Sequence, residues 1–221
     1  AVQSQAGAEN ALGGIAQANA DNIPILVLPG GNALDRLGVR PNYSALHQYE
    51  GIVKRVEAVY TPAQIPDIMR RAFHALRNGP GGPVVVELTA DVCAQDGAPE
   101  GDAYQSPKTF TQVPGTAEIE QAATALINAR RPLLWAGQGV LMAQATEQLR
   151  ELAELLAAPV FCTMPGKSAF DERHPLALGA GSGATTLPAH RWLQTTDVML
   201  ALGSSLTRTP YGQRVPSGAT L

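Results

Sequence analysis

The first chemistry the sequence offers lies in its glycine turns. At Ser4–Asp21, SQAGAENALGGIAQANAD sets a glycine turn directly before a run of small residues. Turns at helix starts often hold phosphates, because free backbone N–H groups point outward there. Gly7, Gly13 and Gly14 do not follow Gly-x-Gly-x-x-Gly, however. Gly7, Ala11, Gly14 and Ala18 recur at steps of three or four, which gives a helix a smooth side. That pattern favours close contact with another backbone or a flat ring over phosphate binding.

A second turn lies in LLWAGQGVLMA, where a strand runs into Gly137-x-Gly139 and then a helix. Glycines there permit a tight turn and close approach of a phosphate. The third glycine position is Met142, and the next strand, PVFCT, ends without an acid for a ribose hydroxyl, so an NAD site is weakly specified. A looser nucleotide site and a plain tight turn both stay open. Other candidates fail on spacing. Gly166-Lys167-Ser168 ends like a P-loop, but the position that needs the first glycine is Phe161. His47, His74, His174 and His190 do not pair with one another, with cysteine or with acids at metal-ligand spacing. Ser182 and Ser204 lack the second glycine of a nucleophile elbow.

These turns need elements to carry them, and the pattern alternates strand with helix. Ala8, Ala11, Leu12, Ile15 and Ala16 keep helical spacing. IPILVL, Ile23 to Leu28, reads as a strand buried on both faces, closed by Pro29-Gly30-Gly31. Asn32 to Glu50 reads as irregular. Ile65, Ile68, Met69, Ala72 and Leu76 mark a helix that starts near Thr61-Pro62 and stops at Gly79-Pro80. PVVVEL, Pro83 to Leu88, is the next buried strand. From about Cys93 to Pro114 the chain is rich in Gly, Pro, Asp and Ser and has no period, as a linker does.

A second unit follows. Ile119, Ala122, Ala123, Leu126 and Ile127 predict a helix, PLLWAG a strand, and Ala145, Leu149, Leu152, Ala153 and Leu156 another helix. PVFCT and DVMLALG are further strands, with a helix around Leu187 to Gln194 between them, and the chain reaches Leu221 inside what reads as the next strand. Strand–helix–strand repeats predict right-handed crossovers and a parallel sheet. The fold class is therefore α/β, with parallel-sheet strand–helix units in two domains, the second Rossmann-like.

Composition narrows the class. The 221 residues are 45% hydrophobic, ample for a core, and the formal net charge is −3. No basic patch suggests nucleic acid, and no run of about 18 apolar residues suggests a membrane span. Cys93 and Cys162 are too few for a disulfide scaffold and read as reduced cysteines of a cytoplasmic protein, one of them in a buried strand. The sequon Asn42-Tyr43-Ser44 then reads as chance.

The order of the pieces resembles a known family. QAGAENALGGIAQANADNIPILVLPGG is similar to the segment of thiamine diphosphate-dependent enzymes that reads Gly-Pro-Gly-Ala-x-Asn, then a small-residue helix, an Asp and a Pro-led apolar strand ending in Gly. RNGPGGPVVVELTADV resembles the end of that family's pyrimidine-binding domain. RPLLWAGQGV, LAAPVFCTMPGKSAFDERHPLALGAGSG and TTDVMLALGSSL resemble, in order, the central domain of its acetolactate synthase-like branch. The resemblance implies that residues 1–95 are the C-terminal part of the pyrimidine-binding domain, 96–115 a linker and 116–221 a C-terminally truncated central domain.

It further implies a fragment of a carboligase or decarboxylase acting on small 2-keto acids, a homodimer or homotetramer using thiamine diphosphate and Mg2+. The family's catalytic Glu and its magnesium-holding domain would lie outside this chain, leaving no catalytic residue within it. Gly7 and Asn10 match the turn beside the thiamine pyrimidine ring at the family's dimer interface, with Ala6 in place of the proline. Gln48 is the nearest candidate for a cofactor glutamine, but its spacing to Lys54 is short. In the central domain some members bind FAD, others ADP and others neither. Gly137, Gly139, Gly203 and Ser204 stand at strand ends where such a ligand would sit. The rival readings are a stand-alone FAD- or ADP-type nucleotide-binding α/β module without catalysis and, more weakly, an NAD-dependent oxidoreductase.

Overall fold

A computed structural model describes residues 1–97 and 104–221. The chain divides into two compact units, Ala1–Gln112 and Val113–Leu221. Residues 98–103, part of the stretch read as a linker, lie outside the described residues.

The first unit begins with helix α1 (Ala6–Ala20), strand β1 (Leu26–Val27) and the short helix α2 (Ala45–Tyr49). Strand β2 (Arg55–Val59), helix α3 (Ile65–Arg77), strand β3 (Val84–Leu88) and one helical turn, α4 (Ala90–Cys93), follow. All three strands are parallel, in the order β1-β3-β2. Being central, β3 has Val84, Val85 and Val86 fully buried, as a strand covered on both faces must. Side chains alternate across it. Val85 packs with Ala8 and Ile15 of α1, Val27, and Tyr43, Ala45 and Tyr49 around α2. Val84 and Val86 pack on the other face with Val59, Val92, and Ile68 and Ala72 of α3.

The structure corrects three expectations here. The strand read over Ile23–Leu28 is regular only at Leu26–Val27. Pro24 and Pro29 have no N–H to give to a ladder. Pairing resumes as isolated bridges, Gly30 with Leu88 and Val2 with Pro29. The stretch read as irregular, Asn32–Glu50, contains a 3-10 turn at Leu34–Arg36 and α2. Strand β2, in VKRVEAV, is a further element not read from the sequence, although its charged residues alternate with apolar ones as on a half-buried edge. There Glu57 sits between the guanidinium groups of Arg55 and Arg71. The start of α3 is as expected: Thr61 and Gln64 form a capping box over the Pro62–Gln64 turn that leads into it.

The second unit contains α5 (Thr116–Asn128), β4 (Pro132–Ala136), α6 (Gln138–Met142) and α7 (Thr146–Leu156). After these come β5 (Val160–Thr163), β6 (Ala177–Gly181), α8 (Leu187–Leu193) and β7 (Val198–Leu202). The four strands are parallel, in the order β6-β5-β4-β7. Leu134 and Ala136 of β4 face Val140, Leu149, Ala153 and Phe170. Leu133 and Trp135 face Phe161, Ala189, Leu193 and Met199 on the other side. Beyond β7, Thr220 forms an isolated parallel bridge with Val198.

Strand β6 was not foreseen. Its residues, ALGAG, include no β-branched or aromatic side chain, and Gly179 sits at an irregularity opposite Val160–Phe161. The apolar stripe of α5 is also less buried than its spacing suggests. Only Leu126 is buried, while Ile119 and Ile127 are exposed. No described helix is long and apolar enough to cross a membrane.

Candidate functional site

In the second sheet the chain moves outward from β4 in both directions, to β5 and β6 on one side and to β7 on the other. The point between β4 and β7 is thus a topological switch point. Open α/β sheets bind ligands in the crevice outside the strand C-termini at such a point. Gly137 and Gly139 follow β4 there, and Gly203 and Ser204 follow β7. The structure brings these four predicted residues together.

The glycines pack backbone against backbone. A Cβ on Gly137 would lie 2.8 Å from Cα of Ser204, and one on Gly139 would lie 2.6 Å from Cα of Gly203. Two hydrogen bonds close the contact. Gly137 donates its N–H to Leu202 O at 2.8 Å, and Gly139 donates to Gly203 O at 2.8 Å. Gly203 has φ +59°, so its carbonyl reaches this position from a left-handed turn. Gly166 joins the same knot. A Cβ there would meet Ala136 O at 2.7 Å, and its N–H is held by Thr163. Sequence reasoning considered Gly166 only as a failed P-loop, because its tight packing comes from another part of the chain. The rim beyond the knot is hydroxylic. Ser204 Oγ accepts the Leu206 N–H at 3.3 Å, and Ser205 and Thr207 pair at 2.8 Å.

In the first unit, Gly7 and Asn10 lie on α1 three residues apart, hence on one face. Asn10 is exposed. Gly7 is crowded by its own chain, since a Cβ would meet Cβ of Gln3 at 2.8 Å, whereas Gly13 and Gly14 face open space. Just before α1, Gln5 holds φ 58°, a conformation that suits glycine. Gln48 is on α2 and exposed.

Around α2 lies a cluster that sequence reasoning passed over. Glu87, near the end of β3, is 2% exposed. Its Oε2 accepts the Ala45 N–H at 3.0 Å. Burial pushes its carboxyl above the usual carboxylate range, and the Ala45 hydrogen bond only partly offsets that. Tyr43 is raised further from its ordinary value, by burial first and then by the charges of Tyr49 and Glu87. Asn32 donates to Tyr43 O at 2.6 Å, and the Tyr49 hydroxyl donates to Ala8 O. The available signal was an acid inside the otherwise apolar run VVVEL. Among the described residues, no group of three His, Cys, Asp or Glu lies placed to hold a metal ion.

Comparison with known proteins follows these units. Residues 119–219 match the family described as thiamine pyrophosphate enzyme, central domain. The chain is 34% identical over 206 residues to the probable acetolactate synthase large subunit of Methanococcus aeolicus, an alignment covering 89% of this chain and 34% of that protein. It is 32% identical over 213 residues to the acetolactate synthase isozyme 3 large subunit of Escherichia coli strain K12, covering 91% and 36%. It is 33% identical over 203 residues to the glyoxylate carboligase of Escherichia coli O157:H7, covering 88% and 33%. The chain thus spans about a third of the length of these curated relatives. The domain match falls on the second sheet and the similarity runs through both units: residues 119–219 match the central domain of thiamine pyrophosphate enzymes, and the chain as a whole is similar to acetolactate synthase large subunits.

Proposed function

We propose that this chain serves a thiamine diphosphate-dependent carboligase or decarboxylase, a transferase or lyase of small 2-keto acids. The observation that carries this reading is identity across both units with proteins named acetolactate synthase and glyoxylate carboligase. When bound, the cofactor supplies a nucleophilic carbon and an electron sink for loss of carbon dioxide.

The chain's own part is to bind and position. In this reading 1–95 belongs to a pyrimidine-binding domain, 96–115 to a linker and 116–221 to a central domain. The α1 surface fits a flat ring: Gly13 and Gly14 leave it open, and the exposed Asn10 offers an amide beside it. Gly7 lets the chain before α1 fold tightly against the helix, which fixes where Asn10 stands. The protein works as a homodimer or homotetramer in the cytoplasm, with Mg2+ and the catalytic acid supplied from outside these residues.

The second unit adds a nucleotide crevice for FAD or ADP at its switch point. Because the Gly139 amide is already bonded to Gly203 O, the glycines shape that crevice, and Ser204, Ser205 and Thr207 line its rim. The same switch point supports the second reading, a nucleotide-binding module without catalysis. One assay separates the two. Protein made from the intact reading frame should release carbon dioxide from pyruvate or glyoxylate only when thiamine diphosphate and Mg2+ are present. Binding of FAD or ADP with no cofactor-dependent turnover of either acid refutes the enzyme reading.

A further inference from the structure

The Glu87 cluster has no part in the cofactor reading. Glu87 is 2% exposed and faces no cation among the described residues. Its Oε2 holds the Ala45 N–H, the first amide of α2. Its Oε1 is packed so closely on Gly31 that a Cβ there would lie 2.6 Å away. Oε1 and the Tyr43 hydroxyl are both buried with no hydrogen-bond partner among the described residues. The ionisable groups that act on them are Tyr43 itself, Tyr49 on α2 and Glu9 on α1; among the described residues no basic group does. Ala58, opposite Glu87 on β2, and Gly31 carry no charge, and His47 on α2 is exposed.

We propose that Glu87 is a positioning residue that latches α2 onto the end of the first sheet as a neutral acid and weakens its hold as the pH rises. A buried carboxylate without a cation is costly, whereas a carboxylic acid keeps a carbonyl oxygen for Ala45 and places its proton on Oε1. Five residues are too few for α2 to hold its shape by its own hydrogen bonds. Its position therefore rests on this bond, on Val85 and on the Tyr49 contact to Ala8. The sign follows from the raised affinity for the proton. The folded state binds a proton that the unfolded chain releases at ordinary carboxylate pH, so the latch is complete at low pH and is lost as pH rises through the folded-state value.

The test is amide hydrogen exchange at Ala45 in the 221-residue chain, corrected for the intrinsic pH dependence of exchange, from about pH 5 to about pH 9. The Tyr60 amide, which donates to Gln64 Oε1 in the same unit, serves as internal reference. Protection at Ala45 should fall at least about tenfold with rising pH while Tyr60 stays constant. Glu87→Gln keeps an oxygen for Ala45 and carries no charge, so its Ala45 protection should be high and flat. Wild-type protection that does not change with pH, parallel loss at Ala45 and Tyr60, or loss of Ala45 protection in Glu87→Gln at every pH each overturns the proposal.

Discussion

Replacing Gly203 by alanine tests the packing knot at the second sheet's switch point, because two separate costs meet there. The first is conformational. With φ at +59°, an alanine must hold a left-handed backbone, which costs about 1–2 kcal/mol. The second is steric. The added methyl would lie 2.5 Å from the Val140 nitrogen, 2.6 Å from the Gly139 carbonyl carbon and 2.7 Å from the Gly139 Cα, all of them backbone. No side chain can swing away, so the β4–α6 turn must part from the end of β7, at about 1–3 kcal/mol. The sum is about 2–5 kcal/mol. Gly179 isolates the first cost. Its φ is +83°, yet a Cβ there meets nothing within 4 Å, so Gly179→Ala should lose only about 1–2 kcal/mol. Urea unfolding followed by tryptophan fluorescence reads this unit alone, since both tryptophans, Trp135 and Trp192, lie within it. If Gly203→Ala loses no more than Gly179→Ala, close backbone approach is not what these glycines provide.

Three further outcomes are expected. Cys93 should react readily with a thiol reagent, while Cys162 should react only on unfolding, because it is buried on β5 and burial pushes its thiol up to about 11; equal rates for the two would contradict the placement of β5. Burial opposes ionisation of Glu57, but Arg71 and Arg55 outweigh it and hold the carboxyl below the usual range. Glu57→Gln should therefore cost about 0.5–1 kcal/mol at neutral pH, since the arginines are half-exposed, and the gap from wild type should close as pH falls through and below the ordinary carboxylate range. A gap that persists in acid would assign the loss to packing rather than to the ion pairs. Finally, the 221-residue chain by itself should bind thiamine diphosphate with Mg2+ weakly at best in calorimetric titration, as Asn10 and an open helix flank are what the proposed reading gives the ring; micromolar binding would show that the chain holds more of the site than proposed.

The elements legible in the sequence are those whose stability is local or whose burial is complete. The capping box at Thr61, the apolar period of α3 and the unbroken run VVV of β3 each declare themselves within a dozen residues. Strands β2 and β6 did not, since one alternates over only five residues and the other is made of Ala, Leu and Gly. Both become strands because a neighbour supplies the ladder, β3 for the first and β5 for the second. The four glycine and serine positions of the second unit were legible as strand ends, but their roles were not. Gly137 needs its small size for Ser204, more than sixty residues away along the chain.

By itself the sequence determined the α/β class, the parallel alternation and the family resemblance, because periodicity, turn residues and motif order are properties of the chain read in line. Tertiary structure alone decided that the turn glycines pack against one another, and that a glutamate is buried against glycine and tyrosine with no cation beside it among the described residues. Those outcomes depend on which backbones are brought within contact distance, and a single segment does not contain its partner.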